Sequence, residues 1–197
     1  MEQQPRIRIA AINGTVRPGN YTGMALAIVL RDLALREGIA VDRIDTASLS
    51  LPFPGQEPTA DSADLRERVR AATGVILATP EYHGSFSSVT KLVIENLGFP
   101  SVLAGKPVAL LGVAGGAIGA IKSLEALGSI CLHVGALVLP GPVSIANVHT
   151  VFNDAGECLD PTTEKRLRGL GASMVEYIHG NICPRYALEA MVREKAA

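Results

Sequence analysis

The sequence predicts an α/β domain, a parallel β-sheet with helices on both faces. Two observations predict it. Short apolar runs alternate with longer amphipathic stretches in the order β-α-β-α-β-α-β-α-β-α. The chain also has the means to bury a core, with 197 residues of which 48% are hydrophobic and 19% charged. No internal repeat, low-complexity tract or linker divides it. Residues 1–180 are therefore expected to form one domain, followed by a tail over 181–197.

The elements follow in order. Arg6–Ile12 (RIRIAAI) reads as a buried strand. Thr22–Glu37 has helical spacing, with Gly38 as its stop signal. Ala40–Ile44 is the second strand, and the Pro-, Ser- and Gly-rich stretch Thr46–Ala60 reads as a loop. Asp61–Ala72 is a polar amphipathic helix with Asp61 or Ser62 as candidate N-cap. Val75–Thr79 (VILAT) is the third strand. Ser87–Leu97 is a helix ended by Gly98 and Pro100. Pro107–Val113 is a strand, Gly119–Val134 a helix, and Gly135–Leu139 a fifth strand closed by Pro140. Pro161–His179 is the last long helix. The tail can carry a short helix after Pro184.

Composition excludes several functions. Eighteen basic against nineteen acidic residues leave a formal net charge of -1, so no global basic field holds nucleic acid. Aromatics are 4% and Trp is absent, which removes stacking platforms for single strands. The cysteines Cys131, Cys158 and Cys183 are odd in number and widely spaced, with no C-x-x-C. Neither a disulfide framework nor a metal site is expected, and a reducing cytoplasm is the expected compartment. Met1–Ile12 lacks the apolar stretch and cleavage site of a signal peptide, and no run of about 18 apolar residues suggests a membrane span.

Three small-residue loops follow strands, and in a doubly wound sheet strand ends converge on the ligand crevice. The first is Asn13–Thr22 (NGTVRPGNYT). It matches neither G-x-G-x-x-G nor the G-K-[ST] ending of a triphosphate loop. Gly14 and Gly19 allow a tight backbone, while Thr15, Asn20 and Thr22 offer hydroxyl and amide groups. Arg17 adds a charged fork, and the following helix begins with unpaired N–H groups. This set suits one terminal phosphate; an ordinary N-cap turn with a solvated Arg is the alternative.

The second loop is Thr79–Ser88 (TPEYHGSFSS). Pro80 stiffens the strand exit and Gly84 permits unusual dihedrals. A flat heterocycle could lie against Tyr82 and His83, its polar edge read by backbone N–H groups around Gly84 and Ser85. Equally, Tyr82 could be half-buried core, His83 a surface side chain, and Glu81 a cap or an Arg partner. The third loop, Gly112–Gly119 (GVAGGAIG), lets a ligand approach the backbone closely, though glycines serve helix–sheet packing as well.

Together these loops resemble the NADPH-dependent FMN reductases, flavodoxin-like flavoproteins that include bacterial flavin, chromate, quinone and azo-dye reductases. The family pattern G-S-x-R-x-x-S-x-[NST] stands here as Gly14-Thr15-Val16-Arg17-Pro18-Gly19-Asn20-Tyr21-Thr22. P-E-Y-N-x-[SG] stands as Pro80-Glu81-Tyr82-His83-Gly84-Ser85, and the Gly-rich loop as Gly112-Val113-Ala114-Gly115-Gly116. The likeness runs from Arg6 to about His179.

The resemblance implies a flavodoxin-like, doubly wound five-stranded sheet of order 2-1-3-4-5. It implies that Thr15, Arg17, Asn20 and Thr22, with Tyr21 between them, hold the FMN phosphate. It places Pro80, Glu81, Tyr82, His83, Gly84 and Ser85 along the isoalloxazine and ribityl chain, and Ala114, Gly115 and Gly116 at the far ring edge. His83 departs from the family Asn, and Thr15 and Asn20 replace serines. The implied activity is hydride transfer from NADPH to FMN and onward to a small-molecule electron acceptor, with FMN as substrate or tightly held. No residue is expected as catalytic acid or base. A homodimer or homotetramer is implied, with the Ser87–Leu97 helix as candidate interface. A flavodoxin-type electron carrier is the competing class; the near-neutral charge and the lack of Trp count against it.

Overall fold

A computed structural model of the protein describes residues 7–196. The first strand, β1 (Ile7–Asn13), is followed by α1 (Tyr21–Ala34), β2 (Ile39–Asp45), α2 (Ala60–Ala71) and β3 (Gly74–Tyr82). A two-residue strand, β4 (Ser85–Phe86), folds back on β3 before α3 (Ser88–Asn96). Then come β5 (Pro107–Val113), α4 (Ile121–His133), β6 (Leu137–Val138), β7 (Val143–Ile145), α5 (Pro161–Tyr177) and α6 (Cys183–Ala196). The sheet runs β2-β1-β3-β5-β6, all parallel, with β4 antiparallel on β3 and β7 parallel to β5.

Alternation along each strand supplies both faces. From β1, Ile9 and Ala11 join Leu26, Val29 and Leu33 of α1 and Leu167 and Met174 of α5 in one buried cluster. Ala10 and Ile12 point the other way, to Leu65 and Val69 of α2, Val93 of α3 and Leu127 of α4. Both faces of the central strands are therefore dry, which is why their sequences are almost continuously apolar.

The structure corrects the expected elements in several places. The sheet has seven strands rather than five. The expected fifth strand shrinks to β6, and its place beside β5 is resumed by β7. Pro140 and Pro142 stand between the two; lacking N–H groups, they interrupt the ladder. The N-cap of α2 is Thr59, not Asp61 or Ser62. Thr59 Oγ1 accepts the Ser62 N–H at 3.1 Å, and Ser62 Oγ accepts the Thr59 N–H at 3.0 Å. The first helix ends at Ala34 rather than Glu37. The third strand continues past Thr79 to Tyr82. Residues Ile178–Ile182 form a π-turn that leads straight from α5 into α6, so most of the expected tail is helical. Arg6 and Ala197, assigned to the first strand and the tail, lie outside the described residues.

Candidate functional site

In this sheet the chain turns one way from β1 to β2 and the other way from β1 to β3, so the switch point lies between β1 and β3. A crevice of about 340 Å³ opens there, at the carboxyl ends of β1, β3 and β5. All three glycine-bearing loops contribute to it.

The first loop is held by a buried hydroxyl cluster. The Gly14 N–H donates to the Ala78 carbonyl at 2.8 Å, and the Ser87 hydroxyl donates to the Gly14 carbonyl at 2.5 Å. Thr90 Oγ1 lies 2.9 Å from Ser87 Oγ and donates to Thr79 Oγ1 at 3.1 Å. A Cβ at Gly14 would collide with the Thr90 hydroxyl and the Ala78 carbonyl, so only glycine fits. Thr15 is buried, and its Oγ1 accepts the Arg17 N–H at 3.3 Å. Asn20 caps α1: Oδ1 accepts the Gly23 N–H at 2.6 Å and Nδ2 donates to the Arg17 carbonyl at 2.7 Å.

That cap leaves the first two N–H groups of α1, at Tyr21 and Thr22, without partners inside the helix. The first turn of α1 carries no acidic residue. An anion approaching here meets the positive end of the helix and the Arg17 guanidinium. Arg17 lies over the ring of Tyr82, 5.1 Å from the centroid, so the first and second loops touch across the crevice.

The second loop is a tight hairpin. Tyr82 pairs with Ser85, and the two residues between them, His83 (φ 52°) and Gly84 (φ 79°), both lie in the left-handed region. This is the dihedral requirement of a type I′ turn, which favours Asn-Gly. The Asn of the family pattern thus suits the backbone at position 83, and His takes the same conformation at some cost. Glu81 Oε1 accepts the Gly84 N–H at 2.6 Å and closes the turn.

In the third loop a Cβ at Gly115 or Gly116 would meet nothing within 4 Å, so the space beside them is open. Gly112 differs: its Cβ would collide with Ala120 and Leu124 of the α4 region, so this glycine serves helix packing. The Val148 N–H donates to the Ala114 carbonyl at 3.1 Å and the Asn147 N–H to the Gly116 carbonyl at 3.1 Å. These bonds carry the segment after β7 to the crevice and bring His149 to its wall.

Of the expected site residues, Thr15, Arg17, Asn20, Tyr21, Thr22, Pro80, Glu81, Tyr82 and Gly115 line the crevice. His83, Gly84, Ser85, Ala114 and Gly116 do not; they shape the turns beside it. Sequence reasoning missed Val113, Val148 and His149 on the wall. Val113 is an apolar strand residue like its neighbours. Val148 and His149 arrive through long-range pairing of β7 with β5, which no local pattern announces. Among the described residues no His, Cys, Asp or Glu cluster could hold a metal ion.

The donor set suits a phosphate monoester: a hydroxyl, a guanidinium and free helix N–H groups, with no carboxylate in the cradle. Beyond it, the Tyr82 ring and the bare backbone at Gly115 leave a place for a flat ring. The volume lies within the usual range for ligand pockets, about 300–1,000 Å³.

Known proteins resemble the chain in sequence and in fold. The model of the NADPH-dependent FMN reductase family matches residues 7–150. An NADPH azoreductase of Bacillus sp. (strain OY1-2) is 32% identical over 175 residues, covering 87% of this chain and 94% of that protein. An NAD(P)H-dependent FMN reductase of Pseudomonas aeruginosa is 30% identical over 165 residues, covering 78% and 85%. Among solved structures, the flavoenzyme NAD(P)H:(acceptor) oxidoreductase of Paracoccus denitrificans superposes with a TM-score of 0.74 at 24% identity, covering 88% of this chain and 98% of that one. A flavodoxin from the domain Archaea has the same fold, with a TM-score of 0.59 at 12% identity, covering 86% and 99%.

Proposed function

The chain belongs to the NADPH-dependent FMN reductase family, and from that premise we propose that its crevice binds FMN and that the protein reduces a small acceptor with electrons from NADPH. The observation that carries this reading is the phosphate cradle at the switch point, joined to an open slot between Tyr82 and Gly115. When bound, the flavin supplies the hydride chemistry, accepting two electrons from the nicotinamide and passing them on.

The chain's own residues bind and orient. The N–H groups of Tyr21 and Thr22, the Thr15 hydroxyl and the Arg17 guanidinium take the phosphate. Arg17 leaves Tyr82 to do so, which frees the tyrosine face for the ring. Pro80 and Glu81 fix the strand exit that carries Tyr82, and His83, Gly84 and Ser85 set the hairpin that aims it. Ala114 and Gly116, through their carbonyls, hold His149 at the wall. No proton relay is required of the protein, since solvent reaches the open crevice.

The acceptor is proposed to be a free flavin, a quinone or an azo compound, in line with the azoreductase and FMN reductase names of its relatives. We further propose a cytoplasmic homodimer or homotetramer. Three cysteines without disulfides fit a reducing compartment. An exposed Phe99 just beyond α3 and the half-buried Val89 and Leu92 on its outer side offer apolar surface to a second copy. Light scattering after gel filtration reads the assembly.

The functional test is a titration of flavin-free protein with FMN, followed by NADPH oxidation with and without added FMN. Saturable FMN binding and FMN-dependent NADPH consumption are expected. Absence of binding overturns the reading. A yellow preparation active without added FMN identifies a held cofactor; a colourless one active only with FMN identifies a flavin reductase. FMN binding with no NADPH consumption would make the protein an electron carrier.

A further inference from the structure

The loop between β1 and α1 rests its carbonyls on side-chain donors. The Gly14 carbonyl accepts from Ser87, and the Arg17 carbonyl from the Asn20 amide. On the β2 side stands Thr46, the residue that follows that strand. The ladder between β1 and β2 ends at the Asn13–Asp45 pair, and beyond it the Thr46 hydroxyl takes over. It donates to the Asn13 carbonyl at 2.7 Å and shares the proton with the Thr15 carbonyl at 3.3 Å. Thr46 is buried and does not line the crevice. The adjacent Asp45 accepts from Asn13 Nδ2 and from Arg43 Nη2, each at 3.0 Å. That Arg43 nitrogen lies 3.4 Å from where a Cβ on Gly23 would stand, beside the first turn of α1. The carboxylate is thus balanced by a cation and held on the β2 side.

We propose that Thr46 is a positioning residue of the phosphate cradle. Its hydroxyl anchors the Asn13 and Thr15 carbonyls on the far side of the loop. It thereby sets how strongly the site prefers a flavin that carries a phosphate over one that does not. The inference rests on the function proposed above and adds to the same site a residue that acts without touching the ligand. The peptides of this loop are trans, so each N–H points opposite to the carbonyl before it. With the Asn13 carbonyl on Thr46, the Gly14 N–H reaches Ala78 on the other neighbouring strand. With the Thr15 carbonyl on Thr46, the Val16 N–H is turned away from β2. A carbonyl is the negative end of a peptide dipole and repels a phosphate dianion; a loop that offers N–H groups attracts it. Remove the hydroxyl, and two buried carbonyls lose their donor. The Thr15 carbonyl regains a partner by turning to solvent in the crevice, where it opposes the phosphate. The slot between Tyr82 and Gly115 does not involve Thr46, so the flavin ring keeps its place.

The test titrates flavin-free protein with FMN and, separately, with riboflavin, and reads the ratio of the two dissociation constants. Thr46→Val keeps the branched shape and removes the hydroxyl. It is expected to weaken FMN binding about tenfold and to leave riboflavin binding unchanged, so the preference for FMN falls by the same factor. Thr46→Ser restores the hydroxyl and is expected to restore the wild-type ratio. Thr46→Ala, which crowds nothing, gives the same reading should the Val variant not fold. A Val or Ala variant that keeps the wild-type ratio overturns the proposal. So does one that loses FMN and riboflavin affinity equally, since that is the mark of a residue that only holds the fold. A Ser variant that behaves like Val overturns it as well, by removing the hydroxyl from the explanation. Failure of the function itself reads differently, as a wild-type protein that takes up neither flavin.

Discussion

The hydroxyl of Ser87 donates to the carbonyl of Gly14 at 2.5 Å, across 73 residues of sequence. Ser87 also accepts the Thr90 N–H at 3.0 Å as the N-cap of α3. One buried side chain thus ties the loop after β1 to the helix that follows the β3–β4 hairpin. The two walls of the crevice are set at a fixed distance before any ligand arrives.

Ser87→Ala is expected to cost about 1–3 kcal/mol of stability, because a buried carbonyl and a helix N-terminus both lose a partner. Chemical denaturation measures the loss. FMN affinity should fall as well, since the phosphate loop is no longer pinned. A variant that melts lower but binds FMN with unchanged affinity would separate the cluster from the site.

Arg17→Ala should weaken FMN binding by about 1.5–3 kcal/mol, the worth of a hydrogen bond to a charged group. That is roughly ten- to a hundredfold in Kd, read by flavin titration. The variant's own stability should change little, because the contact with Tyr82 is worth only about 0.5–1 kcal/mol at an exposed site. Unchanged FMN affinity would remove Arg17 from the cradle.

At position 83 the conformation, not the imidazole, is the constraint. His83→Asn is expected to hold or slightly raise the melting temperature, because Asn accepts a φ of 52° readily. His83→Val should lower stability by about 1–2 kcal/mol, the cost of forcing a β-branched residue into the left-handed region. Thermal melts of the pair decide it.

Cys131 is fully buried on α4, and burial pushes its thiol from 9.0 up to about 12. A folded state that keeps the proton while the unfolded chain releases it loses stability as pH rises between those values. The slope approaches about 1.4 kcal/mol per pH unit. Denaturation midpoints from pH 8 to 11 should therefore fall less steeply for Cys131→Ala than for the parent, although the variant starts lower for its cavity. Thiol-labelling of the native protein should modify the exposed Cys183 and spare Cys131.

The layering and the neighbourhood of the site are legible in the residues alone. The apolar runs at Ile9–Ile12, Val75–Ala78 and Val108–Leu111 are long enough and dry enough to specify buried parallel strands, and glycine-bearing loops at their ends mark the crevice. Those signals are local, carried by side-chain polarity and backbone freedom within a few residues. Which side chains face the crevice and which are consumed in holding the loops depends on the folded arrangement of distant segments. Asn20 spends its amide on the α1 cap, Glu81 spends its carboxylate on the Gly84 N–H, and Gly112 makes room for α4 rather than for a ligand. His149 reaches the wall, and Arg43 reaches the first turn of α1, through pairings of strands far apart in the chain. A hydrogen bond or close approach between distant segments depends on register and packing, and neither is written in the spacing of nearby residues.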